Sequence, residues 1–220
     1  MKKALKIIFI TLLCIYFLFK LLNLSGVLKV YTINGISSEP NIIANSRVFS
    51  SSLPTPKNGD FIMLELNDTL TVTHRLCAQE HDIVAIRDGV LFVNDTKADD
   101  GIDLMHQYKF PTKEFVENLE GNPFIKMPIE LHDSVFFFIN DKKAEELRLL
   151  PYRNIAKKGV ADQSIKSIYH SDWNKDNFGP IKIPAGKVFV LGDNRDNAMD
   201  SRYLGLIDKS KIIGTIIYKK

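Results

Sequence analysis

Between Lys6 and Lys20 the chain reads "IIFITLLCIYFLF", thirteen residues without a charge, and no other segment constrains the fold as strongly. A helix that is apolar on every side suits a bilayer better than one surface of a core, which argues against a buried N-terminal helix. Thirteen helical residues rise only about 20 Å, short of the roughly 30 Å hydrocarbon layer of a bilayer. Leu21, Leu22 and Leu24 lengthen the stretch, and Lys6 and Lys20 can reach outward from its two ends. A secretory signal peptide shares this pattern, but the following "LNLSGVLKV" offers only Ser25 and Gly26 as small residues and no A-x-A-like cleavage site. The expectation is an uncleaved single-pass anchor with its basic flank over residues 1–28. Lys2, Lys3 and Lys6 then lie in the cytoplasm and residues 30–220 across the membrane.

Past the anchor the apolar pattern changes period. "VLKVYTING", "NGDFIMLEL", "TLTVTHRLC", "DIVAIRDGVLFVND", "PIKIPAGKVFVLGD" and "SKIIGTIIYKK" are short, rich in β-branched residues and bounded by turn formers. Asp88-Gly89 joins two apolar runs and predicts a tight hairpin. Residues 96–177 are more polar, and "TKEFVENLEG" and "DKKAEELRLLPYRNIAKKG" predict helices, the second ending before Pro151. The expected fold is mainly β. An antiparallel β core comes from residues 29–95 and 178–220, with a smaller α/β segment, 96–177, inserted between them.

A net charge of +3 with scattered Lys and Arg gives no case for nucleic acid. Cys14 and Cys77 form no disulfide framework, there is no P-loop, and the histidines lack zinc-ligand spacing, so neither metal nor cofactor is expected. Two features could carry chemistry. "NGISSEPN" sets serines on a turn between Gly35 and Pro40, where backbone N–H groups could serve an oxyanion. His74 in "TVTHRL" sits in an expected strand. Each alone is more simply an ordinary turn and a structural histidine.

Their order along the chain changes that reading. An anchor, "SSEPN", "NGDFIML", "THRL", "DIVAIRDGVLFVN", "WNKDNFGPIKIPAGKVFVL" and finally "GDNRDNAMDSRYLG" succeed one another. The succession resembles the type I signal peptidases, membrane-anchored serine proteases that remove signal peptides from exported proteins. The last segment matches the signature G-D-N-R-x-x-S-x-D-S-R-x-x-G with one departure, and the likeness covers residues 33–94 and 173–217.

The resemblance implies that Ser37 is the nucleophile, with Gly35, Ser38 and Pro40 shaping the oxyanion and substrate site. Ser38 stands where the family usually has Met, and Asn41 where it has Thr. The slot of the bacterial catalytic Lys holds His74, and the Ser that usually holds that Lys is Ala198. A Ser–His pair is therefore expected, as in the endoplasmic-reticulum and archaeal members. A Lys needs its pKa of about 10.4 lowered by some three units to act as a base, whereas His at about 6.5 does not. Asp200 is the first candidate to orient His74 and Asp193 the second; Asp200 could instead keep an ion pair with Arg202. Asp193, Asn194, Arg195, Ser201 and Arg202 are expected to scaffold the site.

The implied function is cleavage of N-terminal signal peptides at the bacterial plasma (inner) membrane. Signal peptides, the lipid bilayer and the secretion translocon are the candidate partners. A catalytically inactive homologue that binds signal peptides or secretion partners fits the same two losses, and "AQEHD" replaces the family's G-x-P-G-D turn. A specialised peptidase for a narrow client set is a third reading.

Overall fold

The computed structural model describes residues 2–67 and 69–219. Helix α1 (Lys2–Leu24) spans 23 residues, none of them buried, and rises about 35 Å, long enough for a bilayer's hydrocarbon layer. The helix thus continues through Lys20 over the three leucines beyond it, as the sequence suggested.

The rest is built on three antiparallel sheets, the mainly β architecture expected from the sequence. The largest has seven strands in the spatial order β1 (Leu28–Thr32), β2 (Arg47–Ser51), β14 (Ile212–Lys219), β3 (Phe61–Asn67), β4 (Leu70–Ala78), β12 (Lys187–Leu191) and β13 (Ile207–Asp208). A second sheet orders β11 (Phe178–Lys182), β5 (Ile83–Arg87), β6 (Val90–Val93) and β7 (Thr96–Lys97). The third orders β8 (Met105–Pro111), β10 (Ser134–Asn140) and β9 (Lys126–Leu131). Short helices α2 (Thr112–Asn118), α3 (Asp141–Glu146), α4 (Gln163–Tyr169) and α5 (Ser201–Leu204) join these strands.

Local chemistry explains the turns. Arg87 pairs with Val90 across the Asp88-Gly89 turn, and both turn residues have positive φ, 48° and 76°, as a two-residue hairpin loop demands. A Cβ on Gly89 would also lie 2.4 Å from the Arg153 guanidinium, whose tip would have to shift. Helix α3 is shorter than its sequence predicts. Asn140 caps its start by accepting from the Lys143 N–H. Its end closes on Arg148 in the left-handed region, φ 59°. Arg148 N–H donates to Glu145 O and Leu149 N–H to Ala144 O, a Schellman stop achieved without glycine. Burial of Leu149 beside Ala144 decides the stop over the helix-forming residues that follow.

Strand β12, "KVFVL", is buried from Val188 to Leu191, which explains why it reads as a continuous apolar run rather than an alternation. Phe189 and Leu191 join Cys77, Val84, Ile86, Leu91 and Phe178 in the main core. Ile165 of α4 packs into that same core. The third sheet has its own cluster, with Tyr108, Phe110, Phe115, Val135 and Phe137. Residues 105–149 therefore form the self-packed part of the segment between residues 96 and 177.

Candidate active site

Ser37 lies in the turn that follows β1, half-buried. Three contacts fix this turn. The Ser37 carbonyl accepts from the Asn194 N–H at 3.0 Å, the Asn194 amide donates to Ile36 O at 3.2 Å, and the buried Ser38 hydroxyl donates to Thr73 O at 2.8 Å. Ser38 thus ties the Ser37 turn to the residue before His74, a role a Met at this position could not fill because a thioether has no proton to donate. Gly35 is exposed and Pro40 half-buried on either side of the serines.

His74, on β4 opposite Ile62, is 2% exposed. Neither of its ring nitrogens has a hydrogen-bond partner among the described residues. The expected Asp200–His74 hydrogen bond is therefore not formed, and Ser37 Oγ is not bonded to the imidazole. Burial pushes the His74 pKa below its ordinary value; Asp200 pulls it back up, Arg202 pushes it down and Asp193 raises it. The ring is thus held neutral near pH 7 and feels both carboxylates as a field rather than as contacts.

The carboxylates are occupied by arginines. Asp200 accepts from Arg202 Nε at 2.9 Å and Nη2 at 2.8 Å, and also from the backbone N–H groups of Gly192 and Arg202. The pair is almost wholly buried, with side chains 0% and 2% exposed. Asp193 accepts from Arg75 Nε at 2.8 Å and from its Nη2. Arg195 makes a two-point bridge to Asp99. Asp196 takes the Lys175 ammonium at 2.6 Å. The Ser201 hydroxyl accepts from the Val190 N–H. Each Asp and Arg in "GDNRDNAMDSR" therefore has a specific partner, which answers why charge is so dense beside a buried strand: an unpaired charge there would be far costlier than a paired one.

Gly192 is packed tightly against the Ser37 turn. A Cβ on it would come within 2.4 Å of the Ala198 Cβ and 2.6 Å of Ser37 O. Gly192→Ala should cost about 1–3 kcal/mol through overpacking. Because the Ser37 carbonyl is one of the two atoms in the way, any activity that depends on Ser37 should fall further than the loss of melting temperature accounts for; equal falls in both would show a stability effect alone.

Residues 1–219 match the family described as "Signal peptidase, peptidase S26". The chain belongs to this S26 family. Among its relatives, signal peptidase I of Bacillus licheniformis is 40% identical over 102 residues, which is 46% of this chain and 47% of that protein. Signal peptidase I S of Bacillus subtilis (strain 168) is 44% identical over 79 residues, 36% of this chain and 38% of that one. The chain thus spans about half the length, or less, of these curated relatives. A crystal structure of a signal peptidase I from Enterococcus faecalis V583 aligns with 75% of this chain and 99% of its own at 19% identity, with a TM-score of 0.38.

For an S26 member, several partners here were not assigned from sequence. Arg75 follows His74 and was visible in "THRL", but its partner Asp193 lies 118 residues on. Lys175 is a lysine close in space to the family's signature loop, yet its ammonium is held by Asp176, Asp196 and Asn154 O. It is a scaffold cation. No spacing rule could pair Asp99 with Arg195 across 96 residues.

Proposed function

We propose that this chain is a membrane-anchored serine endopeptidase that cleaves signal peptides from exported precursors, with Ser37 as nucleophile and His74 as base. The observation that carries the reading is a groove of about 540 Å³ with Ser37 in its wall. One side is made by Tyr31 to Gly35 and the other by Thr69 to Thr73. On the first side, β1 is the end strand of its sheet. On the second, β12 pairs only with residues 75–78 of β4 and Ser38 takes Thr73 O, so residues 70–72 keep a free outer edge. An extended peptide laid between two unpaired edges can hydrogen-bond to both, the strand-addition mode.

In this reading Ser37 attacks the scissile carbonyl and the Ser37 N–H supports the oxyanion. His74 takes the hydroxyl proton and later delivers it to the leaving amine. The Ser37–His74 hydrogen bond closes when peptide fills the groove, since such contacts often tighten only with substrate bound. Asp200 and Asp193 stabilise the imidazolium at a distance. Helix α1 anchors the domain, with Lys2, Lys3 and Lys6 on the cytoplasmic side. A non-catalytic signal-peptide binder is the second reading, favoured by the missing Ser37–His74 bond. Full-length protein in detergent micelles with a purified preprotein separates the two: release of a mature N-terminus supports the enzyme, and peptide retention without any cut supports the binder.

The base also fixes a pH dependence. His74 must be neutral to accept a proton, and burial sets its pKa below the ordinary value, which is about 6.5. kcat/KM should be level through neutral pH and fall only as the pH drops below about 6.5. A fall that begins above 7 contradicts the assignment. Stability moves the same way: the unfolded chain protonates this histidine first, so acid favours unfolding. His106, 1% exposed and likewise lowered by burial, adds to that loss.

A further inference from the structure

Asn41 stands outside the expected site residues, yet three separate parts of the chain meet on its side chain. Its amide nitrogen donates to Asp193 Oδ2 at 2.7 Å and to Asp103 O at 2.7 Å. Asp193 is the carboxylate gripped by Arg75, the residue after His74. Asn41 itself is four residues beyond Ser37, in the same turn, where Ile42 N–H bonds to Ser38 O. One side chain therefore links the nucleophile turn to the base strand through a single buried carboxylate.

The third tie runs to the self-packed segment. Asp103 lies at its entry, and from there Met105 forms a parallel bridge with Asn194. Met105 N–H donates to Asp193 O, and Arg195 N–H to Met105 O. Gln107 N–H then reaches Asp196 Oδ2. Asn194, on the same loop, holds the Ser37 carbonyl. The loop from 193 to 196 is thus clamped on one side by the β8 strand and on the other by the nucleophile turn.

Resting on the peptidase reading, we propose that Asn41 is a positioning residue that sets Ser37 against His74, using the β8 segment as its rigid backstop. Both of its amide protons are needed. A threonine hydroxyl, the residue type the resemblance places here, has one proton and can serve Asp193 or Asp103 O but not both. Asparagine therefore adds a tie to the inserted segment.

The test uses three variants of the full-length protein. Asn41→Ala removes both donors, Asn41→Thr keeps one, and Asn41→Asp keeps the shape but sets a carboxylate against Asp193. A hydrogen bond to a charged group is worth about 1.5–3 kcal/mol. Converted at 1.4 kcal/mol per decade, Asn41→Ala should lower kcat about tenfold to a hundredfold with KM within about twofold. Asn41→Asp should be worse and Asn41→Thr intermediate. Independently of activity, amide hydrogen exchange should speed up in residues 36–42 and 193–195 of Asn41→Ala. Unchanged exchange there, or a loss carried by KM, overturns the proposal. If wild-type protein cuts nothing, the peptidase reading fails while the exchange result still decides whether Asn41 holds the turn.

Discussion

Ser37→Ala should abolish cleavage, and His74→Ala should come close to it. In serine peptidases, removing the nucleophile or its base lowers kcat by about six orders of magnitude, and removing both adds little. The double variant of Ser37 and His74 should therefore be no worse than either single one. That non-additivity is the sharpest sign of a shared step, because independent losses would multiply. Ser38 supplies the control. It sits beside Ser37 but spends its hydroxyl on Thr73 O, so Ser38→Ala should keep a functioning nucleophile, with a loss closer to one buried hydrogen bond, about 1 kcal/mol. If instead Ser38→Ala is dead and Ser37→Ala cleaves, the two serines exchange roles.

The second large effect is on stability. Asp200→Ala leaves the Arg202 guanidinium, with its side chain only 2% exposed, without its carboxylate, and it strips Gly192 N–H of its acceptor. Breaking a buried pair from one side costs about 3–5 kcal/mol, much of a typical domain's 5–15 kcal/mol. Melting of the β domain by circular dichroism should shift down by many degrees. Adding Arg202→Met to Asp200→Ala should recover part of the loss, since the double variant no longer buries a lone cation. A contrasting result, in which Asp200→Ala melts like wild type but loses cleavage, would restore Asp200 to a direct role at His74. The pairing seen here points the other way: burial alone would lower the Arg202 pKa, yet Asp200 raises it above the usual arginine value.

Much of this fold could be read from residues in order. The lysine-flanked apolar run gave the long helix, and Asp88-Gly89 gave the hairpin because its geometry is local. "KVFVL" lies in a segment read as strand, and burial on both faces explains why its apolar run is continuous. Helix α3 was over-read: "EELRLL" carries helix formers, but burial of Leu149 and a left-handed Arg148 end it early. That outcome depends on a tertiary contact that no window of sequence contains. The site divides in the same manner. Ser37, His74 and the charged loop were singled out through ordered motifs, and the Asp200–Arg202 pair was one of two readings offered, whereas the partners of Asp193, Arg195 and Asp196 were not assigned. Asp200 takes Arg202, two residues away, rather than His74. Asp193 takes Arg75 and Asn41, 118 and 152 residues distant.

Strand β14 lies between β2 and β3 in the seven-stranded sheet, although it is the last of the fourteen strands among the described residues. During synthesis the first three strands emerge with a gap where their neighbour belongs. β2 and β3 then have no common partner until some 145 residues after β3 have been made. The support loop also arrives late, so Arg75 and Asn41 wait without Asp193 over most of the same interval. Such sequence-distant pairing slows folding and leaves strand edges open meanwhile. A nascent chain of this kind acquires its groove, its paired charges and its ordered Ser37 turn together, only once residues 193–219 have been made. Copies that stop before residue 193 should hold no ordered groove.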